Sequence, residues 1–158
     1  MSVYAMVLWL YALMTSVVLG SGVYESLVVH PAWSRKPPES FVRFVGAMGL
    51  GNLGAFWAPA APLFALSGVG AWLAALSAGT PAVPLTVSVA CAVSVVAWTL
   101  VYFRPGIVRF LGAGGGDIPA ERLQSESRRW VALNWIRVAL TAVSWWGALR
   151  ALAAHGGR

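Results

Sequence analysis

The sequence predicts an all-α fold: a four-transmembrane-helix bundle, with span two kinked at prolines and the last helix extended into the cytoplasm. Three observations carry that prediction. Hydrophobic residues make up 59% of the 158 positions and charged residues 10%, against roughly 25% charged in a soluble domain. Long apolar runs recur along the chain, and a helix is the form in which such a run satisfies its own backbone in lipid. The basic residues collect in two of the connections between those runs. At about 20 residues per crossing, four spans nearly use up the chain, which reads as one integral membrane domain over 1–158 with spans at about 3–29, 44–78, 85–103 and 130–153.

Span one has Glu25 as its only charge, and no Lys or Arg precedes Arg35, so it lacks the basic start of a secretory signal and reads as a retained helix. His30-Pro31 is expected to end it, because the residue before a proline avoids the helical region. A polar turn follows over 31–40, with Pro37 and Pro38 suited to the first turn of the next helix. No charge occurs between Phe44 and Phe103, and the strong break there is Gly79-Thr80-Pro81 with Pro84. The earlier of the two spans so defined contains Pro59 and Pro62, which predict a kink or irregular turn. Ala47, Gly51 and Ala55 form a small-xxx-small face for close helix contact. After Arg104-Pro105-Gly106 a loop is expected, and its glycine run, 112–116, lacks the Gly-Lys-Ser or Gly-Lys-Thr of a phosphate loop, so it reads as a linker. Asp117 and Pro119 resemble a helix start, and Arg122 and Glu126, four apart, suit a solvated stretch before entry near Trp130.

Charge then sets orientation. Arg35, Lys36, Arg43, Arg104, Arg109, Arg122, Arg128 and Arg129 fall on one side, Arg150 and Arg158 on the other. The net charge of +6 is therefore a topology signal, not a nucleic-acid footprint. It places the charged loops in the cytoplasm and both termini outside, as expected for a multi-pass protein of a bacterial inner membrane. Cys91 is the single cysteine, which excludes a disulfide framework and a CxxC redox pair.

Ionisable groups inside spans cost at least ~2.5–3.5 kcal/mol near the centre, so Glu25 and Arg137 need a reason to be there. Asn134, Arg137, Thr141 and Ser144 recur at helical spacing on span four, and Tyr11, Thr15, Gly22 and Glu25 make a similar face on span one. Arg43 and Asn52 on span two and Tyr102 and Arg104 on span three fall in the same leaflet. A polar pocket in the cytoplasmic half of the bundle is expected, with Tyr24, Trp33, Trp57, Trp98, Trp130 and Trp135 as candidate walls. The plainer alternative is that Glu25 pairs with Arg137, Asn134 bonds a neighbour, and the tryptophans form interfacial belts. His30 with Glu25 is the one conceivable metal pair, but five residues on a helix place them about 140° apart, so shared ligation needs an unwound turn. Whether a metal ion or no cofactor at all is used stays open.

Gly22-Val23-Tyr24-Glu25, His30-Pro31-Ala32-Trp33, Pro37-Pro38-Glu39-Ser40, Phe56-Trp57-Ala58-Pro59, and Trp130 with Asn134 and Arg137 together resemble the anthrone-oxygenase-like family of small four-helix membrane proteins. Asn134 stands where many members carry a histidine. The resemblance implies oxidation of a flat phenolic polyketide by O₂ without a familiar prosthetic group. Such a substrate must first lose a proton, which calls for a base (Glu25 or His30) and for donors to the oxyanion (Arg137, Asn134, Arg43), with aromatic residues against the rings. The partners so expected are the bilayer and a hydrophobic aromatic molecule, in a monomer or a homo-oligomer. Two other readings remain: a small-molecule binder or transporter that moves at Pro59 and Pro62, and an accessory subunit of a larger membrane complex.

Overall fold

The computed structural model describes residues 2–48, 51–80, 82–112 and 118–156 and, within them, all side chains except those of 45–48, 51–53 and 111–112. The contact face expected from Ala47 and Gly51, the Asn52 side chain, Pro81, the glycine run at 113–116, Asp117 and Arg158 fall outside what is described.

The described residues form five continuous helices, not the four expected. The first joins α1 (Val3–Tyr24), a π-helical turn (Glu25–Val29) and α2 (His30–Ser34). α3 (Glu39–Met48) and α4 (Gly51–Ser77) follow, and the fourth helix joins α5 (Val83–Trp98), a second π turn (Thr99–Phe103) and α6 (Arg104–Gly112). α7 (Ala120–Gly156) is the fifth. The additional helix is α3, which overlaps the expected polar turn only at Glu39 and Ser40 and takes in the start of the span expected from 44. Its residues separate by face: Phe41 and Phe44 are buried while Val42 and Arg43 are exposed, the spacing of a short amphipathic helix.

Among the described residues three helices are long and apolar enough to cross a membrane, Val3–Ser34, Gly54–Ser77 and Val83–Phe110, which makes this a multi-pass membrane protein. α7 does not reach that standard, because charged residues fill its first turns and Asn134 and Arg137 interrupt the apolar remainder. It nevertheless packs along both α1 and α5, while α4 packs on α1 and α5. Tyr4 and His155 meet edge to face at 5.0 Å, so the two chain ends share one end of the bundle. At the other, Gln124 donates to the Ser34 carbonyl at 3.2 Å and Arg109 pairs with Glu126.

Neither proline-linked helix ending occurs where expected. His30 is helical (φ −61°, ψ −42°) and so is Arg104 (φ −64°, ψ −49°), and the chain passes through Pro31 and Pro105 without stopping. A proline in a regular helix presses its ring on the carbonyl four residues back and donates no hydrogen bond. Both prolines follow a π turn, closed by His30 N–H to the Glu25 carbonyl and by Arg104 N–H to the Thr99 carbonyl; the wider turn relieves that crowding. α4 is continuous helix through Pro59 and Pro62, so no irregular turn interrupts it there, and both prolines face outward. It ends at Gly79, whose φ of +67° is the left-handed conformation glycine adopts after a helix.

Candidate functional site

The first π turn sets the site. Its first residue, Glu25, reaches across to α4, where the Trp57 indole N–H donates to Oε1 at 2.6 Å. The other carboxyl oxygen has no hydrogen-bond partner among the described residues. Arg137 of α7 acts electrostatically on both Glu25 and His30, yet no Glu25–Arg137 ion pair forms within 4.0 Å among the described residues. Its guanidinium instead sits over the Phe103 ring, 4.4 Å from the centroid, and its Nε is buried with no partner among the described residues. The simple ion pair of the plainer alternative is therefore not formed.

His30 is 3% exposed. Its ring meets Trp130 at 4.9 Å and Trp33 at 5.7 Å, both edge to face, and its Nδ1 has no partner among the described residues. Trp130 spends its own N–H on the Phe103 carbonyl at 3.2 Å. Trp33 and Trp130 are thus members of a buried aromatic cluster with Phe41, Phe103 and Phe110. Asn134 belongs to another arrangement: its Nδ2 donates to Ser26 Oγ at 2.8 Å, and Ser26 donates to the Gly22 carbonyl at 2.7 Å. That is a clamp between α7 and the π turn.

Two separate clefts stand where one pocket was expected, and His30, Asn134 and Arg137 line neither of them. One cleft, of about 350 Å³, is lined by Gly20, Ser21, Tyr24, Glu25, Val29 and Phe56. The second, of about 220 Å³, lies between α6 and α7 with Tyr102 and Trp130 in its walls. Arg43 and Arg104 are exposed and line neither cleft. Among the described residues no group of three or more His, Cys, Asp or Glu is placed to hold a metal ion. Sequence reasoning missed Ser26, Phe56 and Phe103 as parts of this region. Phe56 stands beside Trp57 in a quoted motif, whereas the cation–π role of Phe103 has no signature in sequence.

No protein-family model, curated protein or solved structure matches this chain. The resemblance to anthrone oxygenases is corrected accordingly, and the oxygenase and polyketide reading that rested on it goes with it. Its motifs have local structural explanations: His30 and Trp33 pack an aromatic core, and Asn134 is bonded to Ser26.

Proposed function

We propose that the protein binds a lipophilic, ring-bearing small molecule inside the membrane, through a hydrogen-bond donor on that molecule that reaches Glu25. The observation that carries this reading is the state of the Glu25 carboxyl: one oxygen fixed by Trp57, the other unpartnered among the described residues, at the wall of a cleft of about 350 Å³. Binding sites for small molecules are apolar concavities in which a few placed polar groups fix orientation. Tyr24 and Phe56 are exposed, so the cleft opens on the flank of the bundle, and the ligand enters from the bilayer and lies against their rings.

The charged end faces the cytoplasm and both termini face outward, as the distribution of eight basic residues against two supports. Because Cys91 is the only native thiol, this is testable in a Cys91→Ala background: a cysteine at Ser2 should react with membrane-impermeant maleimide in intact cells, and one at Ser125 should not.

2-Naphthol is a suitable probe of the cleft, its binding to nanodisc-embedded protein measured by equilibrium dialysis. Glu25→Gln should weaken it about tenfold, the value of one hydrogen bond to a charged acceptor. Trp57→Phe should weaken it less, by loss of orientation. Equal affinity in wild type, Glu25→Gln and Tyr24→Ala would remove the proposal.

A further inference from the structure

The geometry points to a second site, at the charged end of the bundle, that binds a phosphate anion at the membrane surface. The cleft between α6 and α7 has a volume of about 220 Å³ and is lined by Tyr102, Gly106, Arg109, Phe110, Glu126, Arg129 and Trp130. Its one carboxylate is already committed: Glu126 takes Arg109 on Oε2 and Arg122 on Oε1. That arrangement fixes the Arg109 guanidinium at the cleft and sets the single negative charge of Glu126 against two cations before Arg129 is counted. Arg129 lines the same cleft with no ion-pair partner among the described residues.

The remaining walls favour an oxyanion over a neutral guest. The Tyr102 hydroxyl has no hydrogen-bond partner among the described residues, so it is available as a third donor. The Trp130 N–H is spent on the Phe103 carbonyl, leaving its ring as an apolar wall. Gly106 keeps that wall close, since a Cβ there would lie 3.0 Å from Trp130 Cδ1. Two guanidiniums and a hydroxyl match the several oxygens of a phosphate, which guanidinium binds as a planar fork. Tryptophan and tyrosine are enriched at the depth of lipid headgroups, and basic clefts between helices at that depth take acidic ones. On the same helix, Leu100 and Val101 are 57% and 80% exposed, an apolar surface on which acyl chains can lie. A lipid phosphodiester and a free phosphate share this chemistry.

Native mass spectrometry of the full chain in detergent, titrated with dioleoyl phosphatidylglycerol, tests the site. Retention of that lipid should fall roughly fivefold in Arg129→Gln, which corresponds to about 1 kcal/mol for one basic residue at an anionic surface. It should also fall, less steeply, in Tyr102→Phe. Arg128→Gln, an exposed neighbour outside the cleft, should retain the lipid as wild type does, and so should Glu25→Gln, which separates this site from the Glu25 cleft. Displacement of the lipid by millimolar inorganic phosphate assigns the site to the free anion; retention assigns it to the lipid headgroup. Equal losses in Arg128→Gln and Arg129→Gln, or equal retention of phosphatidylcholine and phosphatidylglycerol, overturn the proposal in favour of a diffuse surface charge.

Discussion

Near the chain termini, Tyr11 bonds Ser88 and Ser144 at 2.8 Å each, and Ser88 in turn donates to the Ser144 carbonyl at 2.5 Å. At the charged end, His30 Nδ1 and Arg137 Nε are buried with no partner among the described residues. The packing differs in the same sense. Around Tyr11 the helices approach through small residues: a Cβ on Gly147 would lie 2.5 Å from the Pro84 carbonyl oxygen, and one on Gly68 would lie 2.7 Å from the Tyr11 ring. Around Trp130 they meet through bulky rings, and both π turns precede prolines there. One region joins three helices with its polar groups satisfied among themselves. The other keeps clefts and unpaired donors, the features expected where other molecules bind.

The largest effect should come from closing the gap at Gly147. Gly147→Leu forces α5 and α7 apart and should lower stability by about 3 kcal/mol, read as a fall in the thermal midpoint in detergent. A wild-type midpoint would show that the close crossing is not what secures this region. Tyr11→Phe is a milder probe of it, because it removes two hydrogen bonds while leaving the ring on Phe64, 6.2 Å between centroids. A loss of about 1–2 kcal/mol is expected; no loss would mean that Ser88 and Ser144 satisfy each other without the tyrosine.

These two regions differed in how legible they were in the sequence. Hydropathy alone revealed helices and membrane residence, because three long apolar runs leave few alternatives. The polar stripe through Asn134, Arg137, Thr141 and Ser144 was readable from spacing, but its partners were not: Ser26 and Ser88 are unremarkable small residues until the fold sets them against Asn134 and Ser144. The helix count went wrong at α3, because the uncharged run from Phe44 was read as the start of span two, whereas Glu39–Met48 is a helix of its own. His30-Pro31 was read as an ending because pre-proline sterics are local, whereas the π turn that accommodates Pro31 also packs against α7. One polar pocket shared by Glu25, Tyr102 and Arg104 was expected, whereas Glu25 lines one cleft, Tyr102 another and Arg104 neither. Depth along a helix is visible in sequence, but the azimuth that separates two clefts is not.

Asn134 and Arg137, one turn apart on α7, give the finest test of the contrast. Asn134 donates one hydrogen bond, to Ser26, so Asn134→Ala should cost about 1 kcal/mol and leave 2-naphthol affinity at Glu25 unchanged. Arg137 has the opposite character. Its Nε is buried without a partner, and the contact that compensates is a cation–π interaction with Phe103. Such contacts are worth about 0.5–2 kcal/mol, while a buried unpaired donor costs about 1–3 kcal/mol. The two nearly cancel, so Arg137→Met, which keeps the apolar stem over Phe103, should change stability by less than about 1 kcal/mol. The same substitution removes the positive charge that acts on Glu25 and should therefore alter probe affinity severalfold. A stability loss above about 2 kcal/mol with unchanged binding would place Arg137 among the groups that hold the bundle together, and the contrast between the two regions would then rest on His30 alone.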